Sequence, residues 1–387
     1  MSEWKNCKIK DIILTANTGL DAIKRAPIVN EDTGVKCLRI QDVSQGKEYR
    51  DWGFAEVESK NFDKFQLKKN DIIVARTGAT IGVNKIIKED LNSVLNNGLI
   101  RIRVNEKLCY PPYLFFNLRT PNYNAFIESI SGGTSTQPNM QINVLLGYEI
   151  YLPPLEEQKA IAEVLTSLDD KIDLLHKQNK TLEQLAETLF RHHFIDNAQD
   201  DWEEGNVTDE FSLTMGQSPS GNSFNEEGFG IPMFQGNADF EFRFPKKRIY
   251  TTEPKKFAEK YDTLISVRAP VGEQNMASER CCIGRGVAAF RYKNEQNFYS
   301  YTYFKMKSLM EEIKQFNQTG TVFGSISKTD FESLKITIPS FDEVSSFQEK
   351  IFPIDSKIIT NCDQIKSLEK LRDQLLPRLM SGEIRIN

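Results

Sequence analysis

What this chain lacks narrows its class. No apolar run approaches the roughly 20 residues that a membrane-spanning helix needs. The opening MSEWKNCKIK carries charges and no apolar core, so it does not read as a signal peptide. The six cysteines, Cys7, Cys37, Cys109, Cys281, Cys282 and Cys362, are scattered without a CxxC pair. That pattern fits reduced thiols in a cytoplasmic protein rather than a disulfide framework. Histidine is scarce. His176, His192 and His193 have no cysteine or carboxylate set at ligand spacing, so no metal site is expected. No serine elbow or Cys/His constellation stands out. Basic charge is not in excess either. The net charge is −5, with residues 1–150 at +3, 151–200 at −5, 201–338 at −2 and 339–387 at −1. Bulk charge therefore does not announce a polyanionic partner, although basic clusters such as FRFPKKRIY (242–250) leave room for a local one.

The stretch NDIIVARTGATIG (70–82) reads as a strand entering a glycine turn. A phosphate-binding Walker loop needs a lysine and a hydroxyl after its second glycine, and this stretch has neither. Its meaning comes from a repeat. DIIVARTGATIG (71–82) parallels DTLISVRAPVG (262–272), WKNCKIKDII (4–13) parallels WEEGNVTDEF (202–211), and PPYLFFNL (111–118) parallels YSYTYFKM (299–306). From Pro153 and Pro339 onward the offset is a constant 186, carrying Asp169 onto Asp355 and Gln178 onto Gln364. A period this long indicates two similar halves, each a globular segment followed by a helix. The globular segments hold short apolar runs bounded by Gly, Pro, Asn and Asp. The expected fold class is α+β: two similar domains with small mixed or antiparallel sheets and helices, separated by two long helices. The expected bounds are 1–152 for the first domain, 153–198 for the first helix, 199–338 for the second domain and 339–387 for the second helix.

The first helical segment opens on prolines with acids in its first turn, both suited to a helix start. A heptad follows, with Leu165, Ile172, Asn179 and Ala186 at a, and Leu168, Leu175, Leu182 and Leu189 at d. The second copy offers Ile351, Ile358, Ile365 and Arg372 at a, and Ile354, Asn361, Leu368 and Leu375 at d, with Pro377 and Gly382 as its end. So narrow an apolar seam calls for a partner helix. An antiparallel coiled coil that sets Asn179 against Asn361 places Leu165 opposite Leu375 and Leu189 opposite Ile351. A seam from 165 to 189 is about 37 Å long at 1.5 Å per residue, close to one turn of DNA at about 34–36 Å.

The stretches LPPLEEQKAIAEVL (152–165), LFRHHF (189–194), DTLISVRAPVG (262–272), CIGRGVAAF (282–290), GTVFGSISKTDFESLKITIP (320–339) and LLPRLMSGEI (375–384) resemble type I restriction–modification specificity subunits, in order and over nearly the whole chain. The resemblance implies two target recognition domains, each reading one half of a bipartite double-stranded DNA site. It implies helices that set the spacing and dock two modification (methyltransferase) subunits, with a restriction/translocase subunit completing the complex. It further implies that this chain is non-catalytic and binds no cofactor, with S-adenosylmethionine, ATP and Mg acting on partner subunits. Two other readings are a standalone DNA methyltransferase and a coiled-coil adaptor without a DNA role. The first needs a catalytic tetrad and a Phe-x-Gly-x-Gly loop. CYPPYLFF (109–116) puts Tyr110 where the tetrad needs Asp, Asn or Ser, so it reads as a helix start, and the loop is missing. PIDSK (353–357) faintly resembles a nuclease carboxylate–lysine signature, but Asp355 and Lys357 read as solvated helix positions.

Base edges are read by arginine on guanine and by asparagine or glutamine on adenine. The candidate readers on turn-like stretches are Arg39, Gln41, Arg76, Thr134, Gln137 and Asn139 in the first domain. In the second they are Gln235, Asn237, Arg268, Thr321, Ser325 and Lys328. Candidate phosphate contacts are Lys68, Lys69, Lys246, Lys247, Arg248, Lys255 and Lys256.

Overall fold

The computed structural model describes residues 4–131, 139–268, 270–315 and 325–386. The chain divides into two compact units, Met1–Asp173 with Ser367–Asn387, and Leu174–Lys366. The helix Leu155–Arg191 and the helix Phe341–Met380 each give one part to each unit.

Among the described residues the first unit carries ten strands: β1 (Lys5–Lys8), β2 (Ile13–Thr18), β3 (Ile28–Val29), β4 (Lys36–Leu38), β5 (Phe54–Ala55), β6 (Ile72–Ala75), β7 (Asn84–Ile86), β8 (Ser93–Leu95), β9 (Leu99–Val104) and β10 (Glu149–Leu152). They form an antiparallel β1-β10 ribbon, an antiparallel sheet β2-β9-β6-β7, and a mixed sheet β3-β5-β4-β8 whose β4-β8 pair is parallel. The central strand β6 is apolar at every position because both its faces are buried. One core lies against the ribbon and the helix Pro111–Asn117, and takes in Leu165, Leu376 and Leu379 from the long helices. Another lies around Cys37, Trp52, Leu67 and Val94.

The second unit repeats the plan with β11 (Glu203–Asn206), β12 (Phe211–Met215), β13 (Phe224–Asn225), β14 (Ile231–Phe234), β15 (Tyr250–Thr251), β16 (Phe257–Ala258), β17 (Thr263–Ser266), β18 (Gln274–Met276), β19 (Cys281–Ile283), β20 (Val287–Tyr292) and β21 (Lys335–Ile338). Its sheets are β11-β21, β12-β20-β17-β18 and β13-β15-β14-β19-β16, again with one parallel pair, β14-β19. Strand β16 has no counterpart among the described residues of the first unit. The correspondence reaches single residues. Asn70 and Tyr261, each just before the central strand, have φ of 70° and 71°. The next residue, Asp71 or Asp262, takes a two-pronged guanidinium from Arg103 or Arg291 on the neighbouring strand, with Nε–O distances of 2.7 and 2.6 Å. Such paired donors on one carboxylate fix strand register as well as charge.

In the second unit the two long helices run antiparallel, Asn179 meeting Asn361 while His193 meets Glu343. Leu175, Asn179, Ile351, Ile358, Asn361 and Ile365 are buried, and Leu182, Leu189 and Ile354 half-buried. Asn361 Nδ2 donates to Asn179 Oδ1 at 2.9 Å, and Asn179 Nδ2 reaches Cys362 Sγ at 3.5 Å. In the first unit Leu165 and Ile172 are buried, and Leu168, Leu368 and Leu375 half-buried. Arg372, at an a position, leaves the apolar seam for Asp169 at 3.0 Å. Buried amides fix a register at a cost in stability. Asn179→Leu strands the Asn361 amide and should lower stability by about 1–3 kcal/mol in urea unfolding. The double variant Asn179→Leu/Asn361→Leu should regain most of that loss, and a double variant as unstable as the single one would sink this account.

Two expectations need correction. Pro377 does not end the second helix, which runs on to Met380; its carbonyl still accepts from Ser381 N–H at 3.0 Å. Proline removes one donor and leaves its own acceptor in place. The turn comes at Gly382, with φ of 75°. Nor is Asp355 solvated. It is fully buried, 3.2 Å from Arg243 and accepting from Ser300 Oγ at 2.7 Å. Arg243 is itself buried, 3.3 Å from Glu183 and with its guanidinium 3.9 Å from the Tyr303 ring centre. Lys307 joins Glu183 and Glu187, each at 2.5 Å. This charged cluster ties the loop that carries Arg243 and the helix Tyr299–Ser308 to both long helices. Asp169, the first-unit equivalent, keeps one-fifth of its side chain exposed and binds Arg119 at 2.6 Å as well as Arg372.

Candidate nucleic-acid interface

In each unit, several loop tips are stitched together by main-chain hydrogen bonds at one end of the sheets. In the first unit Leu20 N–H donates to Leu95 O at 2.8 Å, Asn97 N–H to Leu20 O at 2.7 Å, and Asn96 N–H to Leu38 O at 3.0 Å. Arg76 N–H then donates to Gly98 O at 3.0 Å, and Met140 N–H to Arg76 O at 2.8 Å. In the second unit Gln217 N–H donates to Ile283 O at 3.0 Å, Gly284 N–H to Phe234 O at 2.8 Å, Val267 N–H to Gly286 O at 2.9 Å, and Ile326 N–H to Val267 O at 2.9 Å. The bonds pair Leu38 with Phe234, Gly98 with Gly286 and Arg76 with Val267. Arg39 therefore stands where Gln235 stands, Gln41 where Asn237 stands, and Asn97 where Arg285 stands. The approach is close enough to demand glycine. A Cβ on Gly286 would lie 2.0 Å from Gln235 O, and one on Gly19 2.1 Å from Leu95 O.

This lattice places several sequence candidates side by side and shows others held by partners within the chain. Gln41 is exposed on the short helix Ile40–Ser44. Arg39 is spent nearby: its Nε donates to Asp42 at 3.1 Å, and Asp42 also accepts the Arg39 N–H at 3.0 Å. Arg76 is likewise engaged, with Nη2 on Asn139 Oδ1 at 2.8 Å and Nε on Met140 O at 3.2 Å. Arg268 is its neighbour in register rather than its equivalent, and it bridges Ser325 through the main chain as Thr77 bridges Asn139. Gln235 is exposed, accepting from Ser218 Oγ at 3.4 Å, and Asn237 is half-buried in the single turn Asn237–Asp239. Thr134, Gln137 and Thr321 lie outside the described residues.

Among the proposed phosphate contacts, Lys68, Lys69, Lys246, Lys255 and Lys256 are exposed and in no ion pair among the described residues. Lys247 instead pairs with Glu279, and Arg248 with Asp239 at 2.5 Å. Lys328 pairs with Glu332 at 3.0 Å one helical turn away. The loop tips also carry Asn97, Ser218 and Arg285, which sequence reasoning did not single out. The signal available for Arg285 was its place between two glycines in CIGRGVAAF.

The chemistry on offer is hydrogen bonding and charge. Tyr110 caps the helix Pro111–Asn117, its N–H donating to Gln158 Oε1 at 2.8 Å from the first long helix. Tyr301 N–H meets Gln348 Oε1 in the same way at 3.1 Å. Burial pushes the thiols of Cys37, Cys109 and Cys281 up to about 12, far from the range of a nucleophilic thiolate. Among the described residues no group of three or more His, Cys, Asp or Glu is placed to hold a metal ion. No helix among them is long and apolar enough to cross a membrane.

Comparison with known proteins gives this geometry its context. The family described as type I restriction modification DNA specificity domain matches residues 1–184 and again 199–375. A Methanocaldococcus jannaschii protein assigned as the MjaX type I restriction enzyme specificity subunit is 30% identical, over 99% of this chain and 94% of its own. The HindI specificity subunit of Haemophilus influenzae is 23% identical over 99% of this chain and all of its own. The crystal structure of the type I restriction–modification S subunit from M. genitalium shares the fold, with a TM-score of 0.64 at 19% identity, over 97% of this chain and 96% of that one. With the family matched twice and nearly end to end, this chain belongs to the type I restriction–modification DNA specificity family.

Proposed function

We propose that the chain is the DNA sequence-recognition subunit of a type I restriction–modification complex. The domains within residues 1–152 and 199–338 each read one half of a bipartite site. The helices of 153–198 and 339–387 set the spacing and dock two modification subunits, and a restriction subunit adds to these. In this reading the chain does no chemistry, and S-adenosylmethionine, ATP and Mg act on the partners. The observation that carries the proposal is the duplication: the same woven cluster of loop tips recurs in both units, with exposed amides in each and exposed arginines in the second. Base reading needs donors and acceptors held on a stiff frame, and such a lattice is one.

The test is methylation mapping in cells expressing the chain with its modification subunit. A two-part motif is expected. Exchanging residues 1–152 for the corresponding segment of a relative should change one half of that motif and leave the other half and the spacing intact. A motif that changes in both halves, or in neither, defeats the proposal.

A further inference from the structure

The second unit contains seven arginines, all among the described residues. Five have partners. Arg191 pairs with Asp196, Arg243 with Glu183 and Asp355, Arg248 with Asp239, Arg280 with Glu259, and Arg291 with Asp262. Arg268 and Arg285 are exposed and have no side-chain partner among the described residues. They are also adjacent. Arg285 lies between Gly284 and Gly286, and Gly286 O accepts the N–H of Val267, the residue before Arg268, at 2.9 Å. Both backbones are locked. Gly284 N–H is on Phe234 O, Arg285 N–H on Ser218 Oγ at 3.2 Å, and Arg268 is bridged to Ser325.

The fold itself does not require these charges. The first unit builds the same turns with Thr77 and Asn97 in their places. Two like charges on neighbouring locked turns, neither in an ion pair among the described residues, repel each other unless an anion bridges them. The edge of a base is neutral and does not relieve that repulsion; a phosphodiester does, and arginine is well suited to it.

We propose that Arg268 and Arg285 form a phosphate clamp, which holds the DNA backbone against the second unit and seats the strand for its neighbours Gln235 and Asn237. Arg268 thereby moves from the base readers to the positioning residues. The inference rests on the DNA-recognition reading above.

The test uses the complex of the full chain with its modification subunits and a duplex carrying the mapped site. Affinity is measured between about 50 and 200 mM salt, the range over which phosphate contacts show their slope. Arg268→Ala and Arg285→Ala should each reduce the slope of log affinity against log salt by about 1, and the double variant by about 2. The methylated motif should stay the same, and Arg285→Lys should keep the wild-type slope. An unchanged slope, or a motif relaxed at one base position, overturns the clamp. Should the alanine variants fail to fold, wild-type complex is titrated against duplexes with single neutral methylphosphonates. At least one such position in the second unit's half-site must flatten the slope by about 1, and no such position overturns the clamp. A wild-type complex that marks no bipartite motif would instead overturn the underlying reading, and the clamp with it.

Discussion

Arg243→Ala should cost the protein about 3–5 kcal/mol, the range found when one partner of a buried ion pair is removed. The guanidinium is buried between Glu183 and Asp355, themselves almost wholly buried. Lys307 remains for Glu183, whereas among the described residues Asp355 keeps only the Ser300 hydroxyl. A buried carboxylate with one neutral donor is expensive, and the loss of packing over Tyr303 adds to it. Urea unfolding should show a lower midpoint at an unchanged slope. The control is Arg243→Met combined with Asp355→Asn, which removes both charges and should recover a large part of the loss. If Arg243→Ala costs under about 1 kcal/mol, typical of a surface pair, the cluster is not the tie described here.

Stability should fall as pH rises from about 4.5 to 7, and Glu210→Gln should abolish that slope. Burial holds the Glu210 carboxyl up to about 7, against an ordinary value of 4.5, with Lys305 and the Tyr301 hydroxyl opposing the rise. Tyr301 Oη donates to Glu210 Oε1 at 2.6 Å, while Oε2 has no hydrogen-bond partner among the described residues. The folded-state value is the higher one. The group's contribution is therefore intact below the unfolded value and lost as pH climbs through the folded one. Each pKa unit is about 1.4 kcal/mol, so the loss on reaching pH 8 is roughly 3 kcal/mol. Glutamine mimics the protonated form at every pH. The variant should match wild type near pH 4 in thermal melts and exceed it at pH 8. Parallel pH profiles for the two proteins would rule this out.

The parts of the fold legible in the sequence are those written in short-range periodicity. The heptads carry the antiparallel coiled coil, and the polar members of the seam, Asn179 and Asn361, stand out by position alone. The α+β character follows from short apolar runs bounded by turn residues, and the repeat gives the duplication. Contacts between residues distant in the chain are another matter. Asp355 sits on a helix face that looks wet until Arg243 arrives from a loop far away. The compact units cut across both long helices, because packing groups each domain with the helix parts nearest it. Arg39 was readable in principle, since an acid three residues on is a local signal for the cap and ion pair that occupy it. The woven turns were not, because main-chain hydrogen bonds between loops leave little trace in residue type beyond their glycines.

Because main-chain atoms carry those woven tips, their outward side chains bear little of the folding load. Threonine and asparagine serve in one copy where arginines serve in the other, on the same frame. Exposed positions of this kind tolerate replacement within about half a kcal/mol. A lineage can therefore drift through new chemistries at Asn97, Gln41 or Gln235 one codon at a time, without first acquiring a compensating mutation in the core.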